Sequence, residues 1–251
     1  MSLETFKALS FDCYGTLIDL ETGMYDALRP LLSRLPPGHR YLTTPSTILE
    51  RLNSYQIALE EERPDLLYCD VLAASYEKVA QEEGVSTTES EGTSFGHSVG
   101  KWPAFPDTVL GLQTLKKHYK LIILSNVDNE NISATLTGPL AGVNFDAVYT
   151  AENIGSYKPS HNNFHYLFNH LKSEFRVEQP ELLHVAHSLT VDHIPAKQLG
   201  LRSVWIERGE GSSAVGGGLE QFKEEFKSRV SFEWTFEGIG DFAEAVQKEF
   251  S

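Results

Sequence analysis

Four short polar clusters in this 251-residue chain each follow an apolar segment and carry groups able to react. Asp12 follows residues 6–11 and opens the run Asp12-Cys13-Tyr14-Gly15-Thr16. Ser125 and Asn126 follow residues 121–124, and Lys158 lies in the turn Ser156-Tyr157-Lys158-Pro159 after Ala147–Thr150. His187, Ser188 and Asp192 follow Leu182–Ala186. Carboxylates, an ammonium, an imidazole and hydroxyls together can attack an electrophile and activate water. Taken singly, a strand-end aspartate caps the next turn more often than it reacts. Four such clusters carry more weight, because open parallel sheets place active sites at the carboxyl ends of their strands.

The elements that position these clusters follow from hydrophobic pattern. Residues 6–11, 121–124, Leu182–Ala186 and Ser203–Ile206 are short apolar runs typical of buried parallel strands, with Ala147–Thr150 as another. Helical spacing lies between them. Residues 107–119 place Val109, Leu112 and Leu115 on one face, and residues 162–171 do so with Phe164, Leu167, Phe168 and Leu171. Alternating strands and helices imply an α/β protein with a Rossmann-like, doubly wound parallel sheet. Residues 20–100 break the alternation with helix formers, notably at 47–62 and 65–83, and predict a helical cap inserted into a core made of residues 1–19 and 101–251. The polar stretch 86–100 reads as the linker back to the core, and 209–218 as a loose loop. Alternating Val230, Phe232, Trp234 and Phe236 predict a late strand, and Ile239, Phe242, Val246 and Phe250 a closing helix.

Composition narrows the partners. Lys and Arg number 21 against 35 Asp and Glu, a net charge of −14, so nucleic acid and anionic membrane surfaces are excluded as expected partners. No window offers the ~20 apolar residues of a membrane helix. Two cysteines, Cys13 and Cys69, and an N-terminus without a basic-then-apolar leader point to free thiols in the cytoplasm.

The strings FDCYGTLIDLETG, WPAFPDTVLGLQTLKKHYKLIILSN, GSYKPSHNNF and DHIPA resemble the haloacid dehalogenase superfamily, and within it the 2-haloacid dehalogenase branch. The resemblance spans residues 6–207 and is weakest in the cap. It implies a hydrolase whose Asp12 forms an aspartyl ester with a small carboxylate substrate. Phosphatases of the superfamily carry a second Asp two residues after the nucleophile to protonate a departing alkoxide; here Tyr14 stands there. Halide needs no proton to leave, and neither does the amine of a protonated, strained ring, whereas general acid help to an alkoxide is worth about 10²–10⁴-fold. Carbon–halogen or strained carbon–nitrogen cleavage is therefore expected ahead of phosphate ester hydrolysis.

The resemblance and the charges assign roles. Asp12 attacks carbon, and Lys158 keeps it ionised. Thr16, Ser125, Asn126 and the Tyr14 amide hold Asp12 and the substrate carboxylate. Asp192 matches the family position that activates water, and His187 is a second candidate base. His187 also replaces the acidic fourth-motif residue that helps hold Mg²⁺ in the phosphatases, so no metal and no cofactor is expected. Three departures weaken the halide reading: Leu189 replaces a family Asn, Phe164 replaces a family Tyr, and the halide-binding cap Arg has no secure counterpart, since Arg51 is a candidate that reads more simply as a solvated helix arginine. The resemblance leaves room for a homodimer paired through cap helices. His161 and His165, Cys13, Trp102 with Phe105, and the run Glu60-Glu61-Glu62 are read as surface, packing, hinge and solvated-face residues respectively.

Overall fold

The computed structural model describes residues 2–209, 215 and 225–251. Six strands, β1 (Ala8–Phe11), β2 (Lys120–Ser125), β3 (Ala147–Thr150), β4 (Leu182–Ala186), β5 (Ser203–Ile206) and β6 (Trp234–Phe236), form one sheet in the order β3-β2-β1-β4-β5-β6. Every neighbouring pair is parallel. All residues of β1, β4 and β5 are buried, as expected where helices cover both faces of a sheet. β1 lies between β2 and β4, with Phe11 in register with Ile123 and Val185. Asp12, Ser125 and His187 therefore leave the sheet side by side, although they are far apart in sequence.

The predicted strands and helices form with changes at their ends, the largest in the late strand, where only Trp234–Phe236 of the alternating residues 230–236 joins the sheet. The helix expected over 107–119 is Thr108–Leu115, and the loop expected at 209–218 falls, apart from Gly209 and Val215, outside the described residues. Between β1 and the helix Thr108–Leu115 the chain adds only helices to the fold, chiefly Leu20–Ala27, Ser46–Glu62, Tyr68–Glu82 and Glu89–Gly96. Ile48, Leu49 and Leu52 on one long helix, with Val71, Leu72, Tyr76 and Val79 on the next, belong to the same core as β1.

Residues 86–100 are not a polar linker. They contain the helix Glu89–Gly96, opened by a capping box in which Thr88 and Glu91 bond each other's backbone N–H groups. Its glycines allow close packing rather than looseness. A Cβ on Gly96 would collide with the carbonyl oxygen of Cys69, and one on Gly92 would stand 3.4 Å from that of Ala73. Gly96→Ala should thus lower stability by about 1–3 kcal/mol, the usual cost of overpacking, because backbone cannot swing aside as a side chain can. A urea melt of the variant checks this; an unchanged midpoint would show that the helices separate freely.

Arg208 secures the loop after β1 from a distance. Its Nε donates to Thr16 O at 2.9 Å and its Nη1 to Asp107 Oδ1 at 2.7 Å. Within that loop Gly15 has φ +90°, a conformation that glycine tolerates best, and its N–H closes the turn onto Ile18 O at 2.8 Å.

Candidate active site

Asp12 extends β1 by one residue, its N–H donating to Val185 O at 3.1 Å. The chain turns at once, so the carboxylate projects beyond the sheet with only 7 % of its surface exposed. Oδ1 accepts from Lys158 Nζ at 2.9 Å, and Oδ2 accepts from Thr16 Oγ1 at 2.7 Å. The Thr16 hydroxyl oxygen in turn accepts the His187 N–H at 2.9 Å, tying the loop after β1 to the end of β4.

Lys158 is the electrostatic centre. It is 1 % exposed, and its ammonium bridges Asp12 Oδ1 and Asp192 Oδ1, the latter at 2.7 Å. Burial disfavours the ammonium, but the two carboxylates outweigh burial and hold Lys158 above the usual lysine range. Asn126 fixes the lysine's backbone: Nδ2 donates to Lys158 O at 2.9 Å, and Oδ1 accepts Lys158 N–H at 2.7 Å. Both ends of the amide are occupied this way, so the side chain of Asn126 positions Lys158.

Asp192 is fully buried behind the ammonium. Its Oδ1 also accepts from His184 Nε2 at 2.9 Å, and His184 Nδ1 meets Ser10 Oγ at 2.8 Å across the β1–β4 pairing. Burial raises the carboxyl of Asp192, yet Lys158 and His184 together hold it below the usual carboxylate range. For Asp12 burial, with Asp192 beside it, outweighs the ammonium and the Thr16 hydroxyl and leaves its carboxyl above that range. Asp12 is thus the first of the two to take a proton as pH falls. Asp192 Oδ2 has no hydrogen-bond partner although it is buried.

A cavity of about 130 Å³ opens onto Asp12. Drug-sized ligands fill roughly 300–1,000 Å³, so this space suits a much smaller molecule. Asp12, Tyr14, Ser125, Asn126, Lys158 and His187 at the strand ends line it together with Asn53, Gln56 and Glu60 of helix Ser46–Glu62. The hydroxyl of Tyr14 is paired with Thr135 Oγ1 at 2.8 Å. Thr135 gives its own proton to Asn131 O, so Tyr14 is the donor and is not positioned to protonate a leaving group. Ser125 Oγ is buried, faces the cavity and has no partner. His187 Nδ1 lies 2.9 Å from Ile206 O; a carbonyl only accepts, which puts the proton on Nδ1 and leaves Nε2 as the basic nitrogen. Thr16 and Asp192 stand behind the cavity wall rather than in it.

The donors do not suit Mg²⁺. The space between the two strand-end carboxylates is filled by the Lys158 ammonium, and the remaining position is an imidazole, whereas Mg²⁺ seeks an octahedron of oxygens. Among the described residues no group of three His, Cys, Asp or Glu side chains is arranged around a common point.

Several sequence readings change. Glu60 is not part of a solvated face; it lines the cavity. Arg51 pairs with Glu82 and Tyr55 on the surface, away from the cavity, in keeping with the simpler reading of a solvated helix arginine. His184, Gln56 and Arg208 were not singled out by sequence. An imidazole inside the apolar strand Leu-Leu-His-Val-Ala was the one signal for His184. Cys13 is a packing residue as expected, its thiol fully buried, and the Trp102 indole packs edge-on to Tyr14. His161 bonds Gln198 on the surface, and Phe164 packs against the His184 ring.

A sequence family described as haloacid dehalogenase-like hydrolase matches residues 6–200, and the chain belongs to that family of hydrolases. The solved structures it resembles agree in fold. An L-2-haloacid dehalogenase from Xanthobacter autotrophicus is 21 % identical, with a TM-score of 0.75 over 96 % of this chain and 98 % of that one. Another L-2-haloacid dehalogenase is 19 % identical, with a TM-score of 0.75 over 97 % of this chain and 99 % of the other. A putative hydrolase of the family from Bacillus subtilis, bound to magnesium, is 16 % identical with a TM-score of 0.73, covering 96 % and 99 %. No curated protein matches the chain in sequence.

Proposed function

We propose that this hydrolase opens the ring of L-azetidine-2-carboxylate. Asp12 attacks a ring carbon, the carbon–nitrogen bond breaks with its electron pair on nitrogen, and the resulting aspartyl ester is hydrolysed to a hydroxy amino acid. One observation supports this reading above the others. Among the described residues lining the cavity, Lys158 is the only Lys or Arg, and two carboxylates already share it. A departing halide would meet no cation of its own, whereas the amine of a protonated four-membered ring leaves neutral and needs none. The motif strings quoted above also resemble L-azetidine-2-carboxylate hydrolase.

In this reading Ser125 Oγ, unpartnered and facing the cavity, donates to the substrate carboxylate. The base for the water that attacks the ester carbonyl is either Asp192, whose buried Oδ2 has no partner, or His187, which lines the cavity. The second reading, an (S)-2-haloacid dehalogenase working through the same ester, is favoured by the fold shared with L-2-haloacid dehalogenases.

Purified protein supplied with each substrate separates the two. Ring opening should proceed at the same rate after EDTA treatment. Halide release from 2-chloropropanoate without ring opening would reverse the assignment. Phosphate ester hydrolysis abolished by EDTA would replace both.

A further inference from the structure

Glu60 is the feature that the ester mechanism leaves unused. It sits on the cap helix Ser46–Glu62, one turn after Gln56, and both side chains line the cavity opposite Asp12 and Lys158. Tyr68 donates its hydroxyl to Gln56 Oε1 at 3.1 Å, which turns Gln56 Nε2 outward as the free end of the amide. That Nε2 is buried without a partner, in a side chain only 5 % exposed. Two unpartnered buried groups, Gln56 Nε2 and Ser125 Oγ, thus line one small cavity together with a cap carboxyl that forms no ion pair among the described residues.

We propose that Glu60 is the specificity-determining residue that pairs with a substrate ammonium, so that this cavity selects small carboxylates carrying a cationic nitrogen over nitrogen-free ones. The inference rests on the ring-opening reading and names the part of the site that would enforce it. The charges agree. Asp12 and Asp192 against the single Lys158 already leave the site net negative, and a Glu60 ionised by an entering ammonium adds a second negative charge suited to that cation. Burial pushes Glu60 up to about 8, with Lys158 opposing, and the hydroxyls of Tyr68 and Tyr157 are the other titratable groups near it. The empty site therefore keeps Glu60 largely protonated at neutral pH, and an entering ammonium supplies the charge that ionises it.

The proton balance closes. Glu60 gives its proton to solvent as the ring ammonium binds. Carbon–nitrogen cleavage leaves a neutral amine, which takes one proton from solvent. Ester hydrolysis returns one proton to solvent and restores the Asp12 carboxylate. When the product, now an ammonium again, departs, Glu60 recovers its own.

Binding to the unreactive Asp12→Asn background tests the pairing without turnover. Titration calorimetry should show tighter binding of L-azetidine-2-carboxylate than of cyclobutanecarboxylate, the same shape without nitrogen. Adding Glu60→Gln should shrink that preference by about 10–100-fold, the usual worth of a hydrogen bond to a charged group. Glu60→Asp, which keeps the charge, should retain part of it, and a thermal melt confirms that each variant folds. No preference in the background protein, or a preference that survives Glu60→Gln, overturns the inference. Ring opening by wild type together with a surviving preference leaves the reaction standing and removes Glu60. A Glu60-dependent preference without ring opening does the reverse.

Discussion

Asp12→Asn should abolish turnover, lowering kcat by about 10⁴-fold or more, the scale seen when a covalent nucleophile is removed. The expectation follows from geometry. Of the two carboxylates that share Lys158, Asp12 lines the cavity, whereas Asp192 lies behind the ammonium with Oδ1 committed to two donors. The amide is nearly the same shape, and Lys158 keeps Asp192 as its partner, so the variant should fold. Isotope placement makes the test sharper. A single turnover in ¹⁸O water should leave the label in the Asp12 carboxyl, because water attacks the ester carbonyl and the oxygen already on Asp12 leaves with product. Label found only in product on that first turnover would mean that water attacks the substrate directly and that Asp12 never bonds to carbon.

Lys158→Met should damage both stability and rate. Removing one partner from a buried ion pair costs about 3–5 kcal/mol, because the remaining charge is left unpaired. Here two carboxylates lose their shared ammonium at once. Rate should fall on the order of 10³-fold, as when a buried donor to the reacting group is deleted, since Asp12 would hold a proton at neutral pH. The pH dependence has a definite sign. In wild type Asp192 is held below the usual carboxylate range, so its stabilisation is present above its unfolded pKa and is lost as pH falls. In the variant both carboxyls lie above their unfolded values, so they favour the folded state at low pH and oppose it as pH rises through the folded values. The stability gap should therefore be wide at pH 7 and narrow toward pH 4. Urea midpoints at the two pH values measure it, and a gap independent of pH would show that Lys158 is not the counter-ion to these carboxylates.

The parallel sheet and much of the floor of the site are legible in sequence for a physical reason, while the family is read from the resemblance of the motif strings. Parallel strands buried on both faces must be apolar throughout, so a polar residue just past the end of such a run stands out. Asp12, Ser125, Lys158, His187 and Asp192 were found this way, and the all-parallel order brings their strand ends together. The helices between residues 20 and 100 offer no such contrast. On an amphipathic helix a residue's spacing says which face it occupies but not what stands opposite, so Glu60 reads as one of three adjacent solvated glutamates until the core is placed beneath it. The glycines at 92 and 96 mislead in the same way, because their role appears only when a second helix lies against them.

From the chain alone follow the strands and the polar residues at their carboxyl ends, Asp12 and Lys158 among them, because burial of whole strands forces a pattern that survives without coordinates. Tertiary structure decided that one lysine serves two aspartates, that His184 supports the second of them, that Asn126 holds the lysine loop and that Glu60 faces the cavity. Each of those is a contact between side chains distant in sequence, and hydrophobic periodicity encodes which way a residue points but not whom it meets.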